Sequence, residues 1–155
     1  MQHASEQASP WRRVGVTLLV VVAALAVMWA VTAARGGEDL VGWTQDFQAA
    51  QARAQAQGKP MLVNFTADWC GPCQQMNRQV YSQPDVADAI ATRFIAVKVD
   101  FTSPGAAQDA VARQLGFAGS LPTRMIVAPD GQPVSRQIGS VPAAELLDWL
   151  ERAGS

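Results

Sequence analysis

The chain has very few side chains that bind metals or carry redox chemistry. Its 155 residues include two cysteines, Cys70 and Cys73, and a single histidine, His3. A closed structural zinc site needs four ligands, so one copy of this chain cannot complete such a site around its cysteine pair. Two other interpretations of the pair stay open: a metal shared between two chains, and a purely structural disulfide, although so short a loop restricts little chain entropy.

An excess of charge of one sign is also lacking. Twelve basic and 13 acidic residues leave a net charge of −1 at pH 7, so nothing in the composition favours nucleic acid as a partner. The sequence contains no flavin or nicotinamide motif and no internal repeat. Any redox chemistry therefore uses the cysteines themselves, without a cofactor, and its electrons come from another protein.

Charged side chains are absent from residues 14–34, which are almost entirely apolar. At 1.5 Å per residue, a helix over this stretch is roughly 30 Å long, enough to cross a bilayer core. Arg12 and Arg13 precede it, whereas Arg35 is soon followed by acidic residues. The positive-inside rule then predicts a cytoplasmic N-terminus and a periplasmic or external C-terminal part. A cleaved signal peptide ending near Ala34 is the alternative, but its apolar region would be unusually long.

The predicted organisation is a cytoplasmic tail, a transmembrane anchor, a linker and one domain, over residues 1–13, 14–34, 35–42 and 43–155. Hydrophobic spacing, glycines and prolines predict the elements of the domain. Helices are expected over residues 44–57, 70–80, 84–92, 106–115 and from 142 onward. Thr44 is expected to cap the first of them, with Trp43 on its buried stripe. Strands are expected over residues 61–66, 94–100, 124–128 and 134–138. This order predicts an α/β fold with a central mixed four-stranded sheet, parallel across the helical crossovers, antiparallel at the final hairpin, and flanked by helices.

The cysteine pair stands where the first strand meets the next helix. At a helix N-terminus the dipole and the unpaired N–H groups favour a thiolate, which lowers the pKa of the first cysteine. That thiolate attacks a disulfide, and the second cysteine resolves the mixed disulfide. The spacing therefore predicts a redox pair with Cys70 as nucleophile and Cys73 as resolving cysteine.

Over about residues 43–152 the chain resembles thioredoxin. The string Trp69–Cys73 (Trp-Cys-Gly-Pro-Cys) is identical to the thioredoxin active-site string, and Leu121-Pro122-Thr123 is similar to the cis-proline segment of that family. Lys98 and Gly139 stand where thioredoxin has a lysine and a glycine. The segments 83–86 and 98–102 look closer to the C-terminal domain of DsbD, a periplasmic reducing relay.

The resemblance implies roles for individual residues. Cys70 would be exposed and Cys73 more buried, Gly71 and Pro72 would shape the turn into the helix, and Trp69 would offer an apolar surface. A cis Pro122 would present the backbone of its neighbours, including Leu121, to an extended substrate.

The proton-transfer positions depart from the family pattern. Asn64 stands six residues before Cys70, where thioredoxins have a buried aspartate, and Asn77 replaces an acid of the DsbD-like domains. Amides cannot titrate, so resolution at Cys73 is expected to depend on water, Lys98 or Asp68. Loss of a buried negative charge should also make a thiolate easier to form.

The expected function is a membrane-anchored periplasmic thiol:disulfide oxidoreductase that reduces protein disulfides and draws electrons from a membrane donor of the DsbD type. Cytochrome c maturation is an expectation from analogy alone. Two alternatives are a disulfide oxidase or isomerase and a non-enzymatic adaptor that uses the fold as a peptide-binding surface.

Overall fold

The computed structural model describes residues 10–35 and 37–153, which fall into two compact units separated at residue 36. The first contains one helix, α1 (Pro10–Arg35), and every side chain described in it, over residues 15–29, is exposed. Among the described residues, no helix meets the length and apolar character required to cross a membrane. Residues 1–9 of the predicted cytoplasmic tail lie outside the described residues.

The second unit is an α/β domain with a four-stranded mixed sheet, as the sequence predicts. The elements in chain order are α2 (Phe47–Gln57), β1 (Met61–Thr66), α3 (Gly71–Gln79), α4 (Pro84–Arg93), β2 (Ile95–Asp100), α5 (Ala106–Gln114), β3 (Thr123–Val127), β4 (Pro133–Ile138) and α6 (Ala143–Ala153). The strands lie in the sheet in the order β2-β1-β3-β4.

The strand directions correct one expectation. β1 and β2 are parallel and β3 and β4 antiparallel, as predicted, but β3 pairs antiparallel with β1. Parallel pairing is therefore wrong for the crossover through α5. Residues 115–122 carry the chain to the end of the sheet where β1 finishes, so β3 starts there, with Thr123 beside Phe65, and runs back.

The start of α2 corrects a second expectation. The N-cap is Asp46, whose carboxylate accepts from the backbone N–H of Ala49 at 2.9 Å. Thr44 lies outside the helix and instead makes a parallel bridge beside Val97 of β2. Trp43 is likewise outside the helix, and its ring meets Tyr81 edge-on. The apolar stripe of α2 thus consists of Phe47, Ala50 and Ala54 alone.

Hydrophobic side chains fill both faces of the sheet. On one face α3, α4 and α6 pack on Leu62 and Ile126, and we call this the α3-side core. On the other face α2 and α5 pack on Val63 and Met125. Because helices cover both faces, all six residues of β1 are buried, and this strand is the centre of the domain.

Residues 37–42, interpreted from the sequence as a linker, belong to the second compact unit. Val41 is buried, and the N–H of Leu40 donates to the carbonyl of Tyr81 at 2.9 Å. Asp39 accepts from Trp43 Nε1 at 2.8 Å and from Lys98 Nζ at 3.1 Å. The segment therefore contributes a carboxylate to the edge of the α3-side core.

Tyr81, the single tyrosine of the chain, is fully enclosed in the α3-side core. Burial raises its pKa to about 12; the guanidinium of Arg124 opposes this rise and the carboxylate of Asp39 adds to it. Its phenol is therefore neutral throughout the physiological pH range.

Because there is only one tyrosine, tyrosinate absorbance should report this pKa directly. We expect a midpoint near 12 in the native protein and about 10 in denaturant. A folded-state pKa above the unfolded value means that stability present below pH ~10 is lost as the pH rises toward 12. A native midpoint near 10 in an alkaline titration would contradict the burial, and Tyr81→Phe provides the blank.

Candidate active site

The two cysteines form a disulfide at the N-terminus of α3. Their Sγ atoms are 2.12 Å apart and their Cα atoms 5.2 Å apart. Cys70 is the N-cap residue, and its Sγ accepts from the backbone N–H of Cys73 at 3.2 Å. The sulfur of Cys70 therefore lies where the helix dipole and a backbone donor stabilise negative charge.

The cysteines differ in accessibility, but less than expected. Cys70 is 6% exposed and Cys73 is 2% exposed. Cys70 is thus the more accessible of the two, yet it is not the exposed side chain that the resemblance implied. Ala67, Leu121 and Phe101 pack against the cysteine pair.

Gly71 and Pro72 form the first turn of α3 and are both exposed. Pro72 is tolerated there because the first N–H groups of a helix have no intrahelical acceptor. The backbone N–H of Cys70 donates to the carbonyl of Ala67 at 3.2 Å. A tight turn thus leads from β1 directly into the helix that carries both cysteines.

An apolar surface surrounds the pair. Trp69 precedes Cys70 and is 67% exposed. On the other side, the Leu121–Pro122 peptide bond is cis, as the resemblance implied, and Leu121 packs against the disulfide. Asp68 is exposed beside this surface, with its N–H donating to Thr102 Oγ1 at 2.8 Å. The structure therefore brings Trp69, Cys70 and the cis-proline segment together.

Asn64 lies beneath the site, on the α3-side face of β1, and is 2% exposed. Its register neighbours are Lys98 on β2 and Arg124 on β3. Asn64 Oδ1 is buried without a hydrogen-bond partner among the described residues. The amide of Asn64 is thus buried at the position where thioredoxins have an aspartate, and its side-chain oxygen has no hydrogen-bond donor among the described residues.

Lys98 is committed to another partner. Its Nζ donates to Asp39 Oδ2 at 3.1 Å and lies 5.6 Å from the ring centroid of Trp43. Local sequence does not reveal Asp39 as a partner, because the two residues are 59 positions apart. The lysine proposed to assist Cys73 is therefore already neutralised by a carboxylate that the sequence interpretation had assigned to a linker.

Arg124 is the other residue that sequence reasoning missed. It is fully buried on the α3-side face of β3, where its Nε donates to Gln137 Oε1 at 3.2 Å and its Nη2 to the carbonyl of Gly139 at 2.7 Å. An arginine inside an otherwise apolar strand was visible in the sequence as an irregular feature. Its side chain brings a permanent positive charge into the domain interior, directly opposite Asn64.

No cluster of three or more potential metal-ligating side chains occurs in the part of the chain that the structure describes. The cysteine pair, the helix N-terminus and the surrounding apolar surface are instead suited to reversible exchange between a dithiol and a disulfide.

Comparison with known proteins agrees with this geometry. Residues 42–129, more than half of the chain, match the thioredoxin-like family model. The thiol:disulfide interchange protein DsbD of Salmonella typhimurium is 35% identical over 96 residues, covering 61% of this chain and 17% of that protein. DsbD 1 of Pseudomonas aeruginosa is 35% identical over 109 residues, covering 69% of this chain and 18% of that protein. The chain thus spans less than a fifth of the length of these curated relatives.

Solved structures give the same result. A thioredoxin from Thermus thermophilus superposes with a TM-score of 0.62 at 32% identity, covering 72% of this chain and 85% of that one. The oxidised C-terminal domain of DsbD from Neisseria meningitidis gives 0.58 at 25% identity, covering 72% and 99%. On this sequence and structural evidence, the chain belongs to the thioredoxin-like family and is related to DsbD.

Proposed function

We propose that this protein is a membrane-anchored thiol:disulfide oxidoreductase that reduces protein disulfides outside the cytoplasm. The observation that carries the proposal is the placement of Cys70. Its sulfur caps α3, the neighbouring Trp69 is exposed, and Leu121 of the cis Leu121–Pro122 bond packs against the cysteine pair. The relation to DsbD supports thiol–disulfide exchange in general, and the direction, anchor and partners belong to our proposal.

The reductive cycle starts from the dithiol. The Cys70 thiolate attacks one sulfur of a substrate disulfide, which forms a mixed disulfide and releases the other substrate sulfur as a thiolate. Cys73 then loses its proton and attacks Cys70 Sγ. This step forms the Cys70–Cys73 disulfide and releases the second substrate sulfur, and both substrate thiolates take protons from water. The substrate gains two electrons and the enzyme loses two.

Two arguments support the reducing direction. The residues between the cysteines are Gly71 and Pro72, the same pair as in thioredoxin, a reductant with a potential of about −270 mV. Relatives named DsbD, thiol:disulfide interchange proteins, match the domain.

Since exported compartments are oxidising, a reductant there needs a continuous electron supply. We propose that a membrane donor of the DsbD type provides these electrons and that no cofactor is required besides the cysteine pair.

The proposed location depends on residues 14–34. Their uncharged, apolar composition and the arginines before them favour an inner-membrane anchor with the domain facing the periplasm. Cytochrome c maturation would place suitable substrates in this compartment, as would the repair of wrongly oxidised proteins.

Single-cysteine variants should separate the two chemical steps. Reduced Cys73→Ser protein should accumulate a mixed disulfide with a disulfide-containing substrate such as insulin, because no second cysteine resolves the intermediate. Cys70→Ser should accumulate none, because the nucleophile is missing. Non-reducing electrophoresis and mass spectrometry measure both outcomes. A double Cys70→Ser, Cys73→Ser protein that cannot reduce insulin but retains its function in cells would favour the adaptor alternative.

The reduction potential of the cysteine pair should distinguish a reductant from an oxidase. Equilibration with dithiothreitol or glutathione should give a reduction potential of about −270 mV, well below the roughly −120 mV of the oxidant DsbA. A value near that of DsbA would reverse the proposed direction and make the protein a disulfide-forming enzyme.

Membrane attachment and orientation can be tested on the full chain in bacterial cells. We expect the protein to remain in the membrane fraction after alkaline carbonate extraction. After mild reduction, a membrane-impermeant maleimide should label Cys70 in intact cells. A soluble, shortened product would favour signal-peptide cleavage, and labelling only after lysis would contradict the orientation.

A further inference from the structure

One charged group in the domain interior has no role in the exchange chemistry described above. Arg124 is fully buried, yet it forms no ion pair with any residue that the structure describes. Two of its nitrogens have partners, since Nε donates to Gln137 and Nη2 donates to Gly139, whereas Nη1 is buried without a hydrogen-bond partner among the described residues. The phenol of Tyr81 lies near enough for the guanidinium to act on its pKa. Because both hydrogen-bond partners of Arg124 are neutral, burying this cation destabilises the folded domain. A functional use of the charge would explain why it is present.

The position of Arg124 relative to Cys73 follows from the register of the sheet and the packing of α3. Leu62 and Ile126 are paired across β1 and β3 and belong to the same packed cluster as Met76 of α3. The next pair on that face, toward the end of β1 that leads to the cysteines, is Asn64 with Arg124.

Cys73 lies one helical turn before Met76 on α3. The chain enters α3 from the end of β1 to which Asn64 is nearer, and Met76 packs in the cluster of Leu62, so Cys73 is expected at the level of the Asn64 pair. A second connection supports this arrangement. Arg124 holds the carbonyl of Gly139, and two residues later Val141 donates its N–H to Met76 Sδ at 3.4 Å.

Several other titratable groups lie on this side of the sheet. Asp100 follows Lys98 on the same face of β2, is half-buried, and accepts from the N–H and Oγ1 of Thr102. Lys98 on β2 and Asp39 of the N-terminal segment neutralise each other at 3.1 Å. Tyr81, which follows α3, stays neutral because burial raises its pKa to about 12. On α6, Glu145 is exposed and reaches this cluster only through Gln137, at 3.5 Å.

The side chain opposite Arg124 adds no charge. Asn64 is an amide, and its Oδ1 and that of Asn77 on α3 are buried without partners among the described residues. At the Asn64–Arg124 pair, the interior therefore holds a positive charge that forms no ion pair with the residues that the structure describes. A domain with a carboxylate at position 64 would have a negative charge at the same place.

We propose that Arg124 stabilises the thiolate of Cys73 electrostatically from inside the domain, in place of a proton-accepting carboxylate. The proposal rests on the exchange function proposed above. The proton of Cys73 leaves to solvent before the resolving attack, and the guanidinium, which keeps its own proton, favours the anion that remains. Arg124 is thus not a catalytic residue, since it touches neither substrate nor sulfur in this scheme.

The test measures the thiol pKa of Cys73 from thiolate absorbance against pH in the reduced Cys70→Ser background. Arg124→Gln should raise this pKa by about one unit, since a nearby opposite charge shifts a pKa by roughly 1–3 units. Arg124→Lys should restore most of the effect because it keeps the charge. The high pKa of Tyr81 leaves the thiol range free of tyrosinate absorbance.

Two further variants separate charge from structure. Asn64→Asp places a carboxylate opposite Arg124 across the β1–β3 pair, and both its own charge and its neutralisation of Arg124 should raise the thiol pKa, so it is a positive control for a charge at this place. Arg136→Gln removes the same charge from the same hairpin on the opposite face, where Arg136 donates to the carbonyl of Gly116 at 2.9 Å. It should leave the thiol pKa unchanged.

The outcomes are decisive in each direction. Upward shifts with Arg124→Gln and Asn64→Asp, but not with Arg124→Lys or Arg136→Gln, support the proposal. An unchanged thiol pKa in Arg124→Gln, or an equal shift in Arg136→Gln, overturns it. If Arg124→Gln does not fold, Arg124→Met, which removes the charge and keeps a long side chain, is judged by the same criterion. Because the pKa is read without substrate, a wild-type protein that fails to reduce insulin would refute the proposed function and leave this measurement valid.

Discussion

The site depends on one junction, where the central strand β1 passes into α3. β1 is buried on both faces and paired on both edges, so it is the most constrained element of the domain. Four residues after it ends, Cys70 caps the helix with its own sulfur. The core therefore fixes the position of the nucleophile relative to the helix dipole, and the reactive sulfur is placed by the same packing that stabilises the fold.

The same strand also determines what lies beneath the cysteines. Its α3-side face presents Leu62 and then Asn64, and the paired strands add Arg124 and Lys98 beside the amide. In an apolar core this polar row is unusual, because buried polar groups usually have partners. Lys98 is paired with Asp39, whereas Asn64 and Arg124 each have a buried polar atom without a hydrogen-bond partner in the part of the chain that the structure describes. Side chains that destabilise the core in this way are more easily explained by function than by stability.

Much of this structure is predictable from the sequence because its causes are local. The apolar run at 61–66, the prolines and glycines at element ends, and the Cys-Gly-Pro-Cys spacing predict β1, most helix boundaries and the position of the cysteine pair. The direction of β3 is not local, since it depends on where residues 115–122 carry the chain. The Asp39–Lys98 pair joins segments 59 residues apart, and the cap by Asp46 rather than Thr44 depends on the neighbouring strand that takes Thr44. The role of Arg124 is not predictable from the sequence for a similar reason, since only the register of β1 and β3 shows that it lies opposite Asn64.

The charge beneath the pair also bears on which direction of exchange the protein favours. Stabilising a thiolate stabilises the reduced, dithiol form of the cysteine pair. The reduction potential of the pair therefore becomes less negative, which makes the protein a weaker reductant. The Gly-Pro turn and the buried guanidinium therefore act in opposite directions on the same equilibrium. An arginine also differs from a carboxylate in pH response: it stays charged over the whole physiological range, whereas a buried acid changes charge as it titrates. A site with Asn64 and Arg124 should thus keep a constant interior field as the pH of an exposed compartment varies, and its resolving step should follow the titration of Cys73 alone.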